Sequence, residues 1–363
     1  MLLEEPDYRR ARRFEGRGVW RYEPLLPVRR SLTLGEGDTG LHLCERLGRR
    51  LGIPRLYVKN EGENPTGSFK DRGMTVGIAL ALSTGARVVA CASTGNTSAS
   101  MAAYAARAGL TALVLLPAGK VAGGKLAQAV AHGARIVQIE GDFDDAMRLV
   151  VELSASERRV YLLNSLNPYR LEGQKTLAFE VCEALGEAPD ALVLPMGNAG
   201  NISAIWKGFR EWHRLGRIRR LPRMVGVQAE GAAPIVRTLR EGLGTCRVEH
   251  PETVATAIRI GAPVNWRKAV AAVRESGGEA GTVTDREILE AQQELARAEG
   301  IFVEPASAAP LAYLRKRRLP RARTVVCVAT GHGLKDPEAA SRAPVSLRRV
   351  RPTPSALRRL LEA

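Results

Sequence analysis

The feature that most constrains the fold is a repeated alternation of short apolar runs with longer amphipathic stretches, which begins at about residue 52. The predicted strands are residues 55–59, 87–91, 112–116, 135–139, 160–163, 191–194, 224–227 and 324–328. Strands that are separated by helices lie parallel to one another, and their sheets are covered by helices on both faces. The sequence therefore predicts a doubly wound α/β architecture with mostly parallel sheets.

The length and composition fit an ordinary globular protein. The chain has 363 residues, of which 45% are hydrophobic and 25% are charged, so it can build two domains or one large α/β unit. The first residues lack the basic and apolar segments of a signal peptide, and no apolar run approaches the ~20 residues that span a membrane. We therefore expect a cytoplasmic protein with no membrane partner.

The net charge of +16 is the unusual property of the composition. Arginine-rich segments at 9–13, 214–223 and 315–323 contribute much of this charge. They are dispersed along the chain, aromatic residues make up only 5% of the sequence, and no nucleic-acid-binding module accompanies them. We interpret the segments as solvated helix faces and predict no nucleic-acid partner, although a basic nucleic-acid-binding protein remains an alternative. A positive field would also attract an anionic substrate.

The cysteines and histidines do not have the spacing of a metal site. No Cys-x-x-Cys pair and no His-x-x-x-His pair occurs, so we predict no bound metal. The residues concerned are Cys44, Cys91, Cys182, Cys246, Cys327, His42, His132, His213, His250 and His332.

Lys70 lies in a turn of small residues, at 64–72, where a strand should lead into a helix. The chain has 9 lysines and 45 arginines, so surface composition does not explain a lysine in this turn. Lysine, unlike arginine, can lose its proton and form a Schiff base. The turn is therefore a candidate site of covalent chemistry.

Three further loops follow predicted strands, where doubly wound folds bind their ligands. Residues 195–201 contain two glycines and open a helix, so their amides can surround a phosphate without any cationic side chain. Residues 93–100 carry five hydroxyl or amide side chains within six positions, which suits a carboxylate. Thr330 ends the last core strand with a neutral hydroxyl. Together with Lys70, these loops indicate pyridoxal phosphate: Lys70 as the Schiff base, 197–201 at the phosphate and Thr330 at the pyridine nitrogen.

Two other patterns suggest nucleotides. Residues 35–40 match Gly-x-Gly-x-x-Gly before a helical pattern, and Glu61 follows about 20 residues later, as in dinucleotide-binding proteins. The preceding run, 31–34, does not resemble a buried strand, so an NAD-dependent dehydrogenase is the weaker hypothesis. Residues 119–125 match Gly-x4-Gly-Lys, but Leu126 stands where a phosphate loop needs Ser or Thr.

The motifs at 64–72, 93–100, 197–201, 304–307 and 330–337 resemble those of the threonine synthases, a family in the tryptophan synthase β-like group (fold type II) of pyridoxal phosphate enzymes. The likeness extends through 125–129, 139–146 and 172–176 and covers nearly the whole chain in the same order. It implies a lyase that converts O-phospho-L-homoserine and water to L-threonine and phosphate. It also implies a homodimer.

The resemblance assigns roles to individual residues. Lys70 would bind the cofactor covalently and then move protons on the substrate. The other cofactor-binding residues would be Asn96, Gly197, Asn198, Ala199, Gly200, Asn201 and Thr330. The substrate-binding residues would be Ser93, Thr94 and Thr97 at its carboxylate or neighbouring oxygens, and Asn164, Ser165 and Arg170 at its phosphate. A smaller domain at 62–163 would face a larger one formed by 1–61 and 164–363, with the cofactor between them.

Three positions depart from the pattern of the family. Gly40 stands where proline is usual, Ala262 where asparagine is usual and Asn265 where serine is usual. The departures leave open a paralogue that acts on another activated amino acid, such as a cysteate-synthase-like enzyme that uses O-phosphoserine and sulfite.

Overall fold

The structure is a computed structural model that describes residues 13–119, 123–242, 247–337, 349–350, 352–354 and 358. Cys246, Lys120 and most of the arginine-rich segment 9–13 lie outside these residues. Within the described residues, no helix is both long enough and apolar enough to cross a bilayer.

The strands of the described residues form a six-stranded and a four-stranded sheet, with the orders β1-β2-β10-β7-β8-β9 and β5-β4-β3-β6. All pairs are parallel except β1 with β2. The strands are β1 (Leu41–Leu43), β2 (Arg55–Asn60), β3 (Val88–Ala92), β4 (Thr111–Pro117), β5 (Arg135–Ile139), β6 (Val160–Leu162), β7 (Ala191–Pro195), β8 (Arg223–Ala229), β9 (Glu279–Val283) and β10 (Thr324–Ala329).

Helices connect the parallel strands and pack on the sheets. They are α1 (Glu45–Leu51), α2 (Lys70–Ser83), α3 (Asn96–Ala108), α4 (Gly123–Ala131), α5 (Phe143–Ser156), α6 (Tyr169–Gln174), α7 (Thr176–Leu185), α8 (Gly200–Arg214), α9 (Pro234–Glu241), α10 (Trp266–Glu275), α11 (Asp285–Glu299) and α12 (Pro305–Lys316). Two apolar clusters cover the large sheet, and a third packs α2 and α3 against the small one. The predicted α/β class with mostly parallel sheets is confirmed.

The eight predicted strands are all present, with ends that differ by at most two residues. Two further strands were not predicted. β1 has three residues, too few to show an alternating pattern. β9 reads Glu-Ala-Gly-Thr-Val, in which a glycine lies in the middle and β-forming residues occur only at the last two positions, so its strand signal is weak.

The Gly-x-Gly-x-x-Gly segment does not have the structure of a dinucleotide-binding turn. The expected helix does not follow it directly, because the antiparallel edge strand β1 begins at Leu41. Its acidic side chains bind neighbouring protein groups instead: the buried Glu36 accepts from the Tyr104 hydroxyl (2.7 Å), and Asp38 accepts from the Gly18 amide (2.8 Å). The segment therefore does not support the hypothesis of an NAD-dependent dehydrogenase.

A buried ion cluster holds the first turn of α2 in place. Arg72 is completely buried and donates to Glu61, at 2.6 and 2.8 Å, and to Glu180, at 2.6 and 2.7 Å. Lys59 of β2 donates to the same Glu180 (2.6 Å). Because the charges are matched and hydrogen-bonded, the cluster joins β2, α2 and α7 without leaving an unpaired buried ion.

Two glycines allow α2 and α6 to cross at close range. A Cβ at Gly173 would lie 1.8 Å from the backbone oxygen of Arg72, and a Cβ at Gly73 would lie 2.5 Å from that of Arg170. This contact sets Arg170 beside the helix that begins at Lys70.

Candidate active site

The loops predicted to carry chemistry lie at the carboxyl ends of the parallel strands. β2, β10 and β7 are neighbours in the large sheet and end at Asn60, Ala329 and Pro195. β3 and β6 are neighbours in the small sheet and lead to Ser93 and Asn164. The parallel pairing therefore brings together loops that are far apart in the sequence.

The turn that contains Lys70 is hydrogen-bonded to the loop that contains Thr330. The Phe69 amide donates to the backbone oxygen of Thr330 (3.0 Å), and the His332 amide donates to that of Gly67 (2.9 Å). Gly67 has a φ of 81°, a left-handed conformation that suits glycine. These bonds fix the start of α2, and with it the position of Lys70.

The amine of Lys70 is prepared for chemistry by its surroundings. Its pKa is lowered to about 7, mainly by burial and also by the charge of Arg170, whereas the charge of Glu304 opposes the change. The side chain nevertheless keeps part of its surface accessible. A substantial fraction of the amine is therefore unprotonated at neutral pH and can attack a carbonyl carbon.

Asn96 and Thr330 meet at a carboxylate whose role the sequence did not predict. Asn96 Nδ2 lies 3.0 and 3.2 Å from the two carboxylate oxygens of Glu304. Thr330 Oγ1 lies 3.4 Å from Glu304 and 2.8 Å from Ser307 Oγ. Burial raises the pKa of Glu304, against the hydrogen bond from Asn96 and the charge of Lys70. Only the matching segment 304–307 pointed to this residue.

In the hydroxyl-rich segment after β3, some side chains bind other protein groups and others lie at the accessible surface. Ser98 and Ser100 are buried and bind Gly95 and Asp71 within the protein. Ser93 and Thr94 are partly exposed, and Thr97 is buried at the first turn of α3. A Cβ at Gly95 would have open space around it. The N-terminal end of α3 is therefore accessible to a ligand that lies beside Ser93 and Thr94.

The loop at 197–201 leads into α8. The first backbone amides of a helix have no hydrogen-bond partner within the helix, so they can bind an anion. Ala199 adopts a left-handed conformation with a φ of 60°. Both amide atoms of the Asn201 side chain are buried and have no partner among the described residues. The backbone also packs closely at Gly197, where a Cβ would lie 3.0 Å from the backbone oxygen of Ala257.

The three residues predicted to bind the substrate phosphate lie after β6. Asn164 exchanges two hydrogen bonds with the backbone of Ala92, at 3.0 and 3.1 Å, so its side chain joins β6 to β3. Arg170 is buried, and burial lowers its pKa to about 10. Its Nη1 donates to the Leu163 carbonyl (3.2 Å), whereas its Nε has no partner among the described residues. A buried guanidinium with free donor capacity is suited to an oxyanion.

The departures at Gly40 and Ala262 do not involve the candidate site residues directly. The Gly40 amide donates to Glu63, a bond that proline could not form. Ala262 is exposed. Asn265, in contrast, contacts both candidate phosphate-binding loops through Ser165 and Asn198.

The arrangement fits pyridoxal phosphate. The unpaired amide of Asn201 and the amides at the start of α8 suit its phosphate, and the Lys70 amine suits its aldehyde. Thr330 provides a neutral hydroxyl at the end of β10.

Comparisons with known proteins agree with this chemistry. A family model for pyridoxal-phosphate dependent enzymes matches residues 32–331. The chain is 60% identical over 327 residues to a threonine synthase of Methanosarcina acetivorans, covering 88% of this chain and 80% of that protein. It is 54% identical over 326 residues to a threonine synthase of Halalkalibacterium halodurans, covering 88% of this chain and 89% of the relative.

Solved structures extend the likeness to the fold. A threonine deaminase isoform from Solanum lycopersicum superposes with a TM-score of 0.70 at 22% identity, covering 85% of this chain and 88% of that chain. The two proteins share the fold.

Proposed function

This chain belongs to the family of pyridoxal-phosphate dependent enzymes, and we propose that within this family it acts as a threonine synthase. The reaction converts O-phospho-L-homoserine and water to L-threonine and phosphate. The relatives at 54–60% identity support this activity. The observation that carries the proposal is the buried Arg170 beside Lys70, since it sets a guanidinium that would suit a phosphate close to an amine with a pKa of about 7.

The cofactor would be held by residues from both sheets. Lys70 would bind it covalently, and 197–201 would hold its phosphate with backbone amides and the Asn201 side chain. Asn96 would face the phenolic oxygen and Thr330 the pyridine nitrogen. When bound, pyridoxal phosphate supplies an electron sink for negative charge that develops on the substrate. A hydroxyl at the pyridine nitrogen tolerates the neutral ring and makes that sink milder than a carboxylate would.

The remaining residues would bind and orient the substrate. Ser93, Thr94 and Thr97 would receive its carboxylate at the start of α3. Asn164, Ser165 and Arg170 would receive its phosphate and retain it as the carbon–oxygen bond breaks. Lys70, released when the substrate amine takes its place, would accept a proton from Cα and move protons at Cβ. Its lowered pKa suits both directions of proton transfer near neutral pH.

The domain arrangement and assembly are part of the proposal. The small sheet lies entirely within 88–162, which supports a smaller domain at 62–163 and a larger one formed by 1–61 and 164–363. The cofactor would lie between them, because Lys70 and Asn96 belong to the first segment and Glu304 and Thr330 to the second. A cytoplasmic homodimer is proposed from the family likeness, and light scattering of the purified protein tests the dimer.

The direct test incubates the holoenzyme with O-phospho-L-homoserine and measures threonine and phosphate in the same sample. Equal yields are expected. Phosphate without threonine would contradict the proposal. So would turnover that occurs with O-phosphoserine and sulfite but not with O-phosphohomoserine, which would assign the chain to the alternative paralogue.

A further inference from the structure

Asn265 occupies the N-cap position of α10 but does not cap the helix. An asparagine at this position normally accepts a hydrogen bond from an amide in the first turn. The Asn265 side chain forms no such bond. Its Nδ2 instead donates to the backbone oxygen of Ser165 (3.3 Å), which lies 100 residues away in the sequence.

The same residue is bound to the loop proposed to hold the cofactor phosphate. The Asn265 amide donates to the backbone oxygen of Asn198 (3.1 Å), and the Val264 amide lies 3.5 Å from Asn198 Oδ1. A Cβ at Gly200 would lie 3.4 Å from Nδ2 of Asn265. Asn265 is 6% exposed, so it fills the space between the two loops.

These contacts differ in which part of Asn265 makes them. The backbone holds the loop at 197–201, and the side chain holds the segment that contains Ser165 and leads into α6, where Arg170 lies. A change of side chain alone would therefore release the substrate segment and leave the cofactor loop attached.

We propose that Asn265 is a positioning residue that fixes the substrate phosphate site relative to the cofactor phosphate site. This inference depends on the proposed function. It assigns the alignment of the two sites to a residue outside both loops, through the Asn265 side chain at Ser165 and its backbone at Asn198. A looser connection weakens the binding of the substrate phosphate.

Asn265→Ser tests the proposal, because serine remains a good N-cap residue but is too short to reach Ser165. The probe is inorganic phosphate, titrated into the holoenzyme while the absorbance of the cofactor is followed. Its Kd is expected to rise about three- to tenfold, as for the loss of one hydrogen bond. The Kd of pyridoxal phosphate is expected to change less than about twofold, because the backbone contact to Asn198 is retained.

Thr284→Ala provides the matched control. Thr284 caps α11 through its side chain, so its loss destabilises a helix end without contact to either loop. The control is expected to lower Tm and leave the Kd of inorganic phosphate unchanged. An unchanged phosphate Kd in Asn265→Ser, or equal weakening of phosphate and cofactor, would overturn the proposal.

The kinetic arm separates this inference from the proposed function. Wild-type turnover of O-phosphohomoserine tests the function alone. In Asn265→Ser, KM for this substrate is expected to rise by the same factor as the phosphate Kd. A wild-type-like KM would contradict the role of Asn265 even if threonine synthase activity is present.

Discussion

Glu304 is the carboxylate that opposes the lowering of the pKa of Lys70. An amine attacks an aldehyde only when it is unprotonated, so the rate at which the cofactor-free protein takes up pyridoxal phosphate should rise with pH around 7. Glu304→Gln removes the negative charge and should move the midpoint of this rise to lower pH. Stopped-flow absorbance across a pH series measures it.

A glutamate on the surface provides the control for the loss of a negative charge. Glu294 pairs with Arg50 and Arg315 on the outside of α11, so Glu294→Gln should leave the midpoint unchanged. A Glu304→Gln midpoint equal to or above that of the wild type would show that the carboxylate does not act on Lys70.

Single residues differed in how well the sequence predicted them. Lys70 was recognisable because its turn is uncharged and the chain contains few lysines. Glu304 and Asn265 were not assigned roles, because their partners Asn96 and Ser165 lie 208 and 100 residues away. Contacts of this kind depend on the packing of two sheets, which no local pattern encodes.

At the scale of elements, the crossing of α2 and α6 depends on Gly173. Gly173→Ala would set a Cβ against the Arg72 backbone oxygen and force the helices apart. Overpacking of this kind costs about 1–3 kcal/mol of the free energy of unfolding. The shift should also displace Arg170 and raise the Kd of inorganic phosphate, measured alongside Tm.

Gly48→Ala is the comparison for this change. Gly48 lies in α1, away from Arg170, and a Cβ there would lie 2.8 Å from the backbone oxygen of Ile53. It should lower Tm but leave the phosphate Kd at the wild-type value. If Gly173→Ala lowers Tm without weakening phosphate binding, the crossing does not position Arg170.

Elements were predictable where local pattern and burial agree. The eight predicted strands are short, mostly apolar runs, so the local pattern indicated each of them. The strands β1 and β9, at the edges of the large sheet, were missed because their sequences, Leu-His-Leu and Glu-Ala-Gly-Thr-Val, contain few apolar β-forming residues.

At the scale of the whole molecule, the ion cluster around Arg72 links folding to pH. Arg72 and Lys59 hold the pKa of Glu180 at about 2, against the opposing effect of burial. The stabilisation is present above the usual carboxylate pKa of 4.5 and is lost as the pH falls toward 2. Urea midpoints measured between these values should therefore fall steeply with decreasing pH.

Glu180→Gln isolates this contribution. The variant leaves Arg72 with less compensation, so it should be less stable at neutral pH, by about 3–5 kcal/mol. Its urea midpoint should also depend less on pH below 4.5, because the titrating group is absent. If the urea midpoint of the variant falls with decreasing pH as steeply as that of the wild type, other carboxylates cause the acid sensitivity.

The net charge of +16 predicts a salt effect on the encounter with substrate. Screening shortens from about 30 Å at 0.01 M salt to about 8 Å at 0.15 M. For a phosphorylated amino acid, kcat/KM should fall severalfold over this range while kcat changes little. Steady-state rates in a series of chloride concentrations measure the effect, and an unchanged kcat/KM would exclude steering by the overall charge.

The whole account depends on the covalent use of Lys70. Borohydride reduction of the holoenzyme followed by peptide mass spectrometry identifies the lysine that carries the cofactor among the nine in the chain. The account predicts a pyridoxyl group on Lys70 and none in Lys70→Ala, which should also lose turnover. Modification of Lys335, the lysine that donates to the Thr66 carbonyl in the same turn, with Lys70 unmodified, would contradict it.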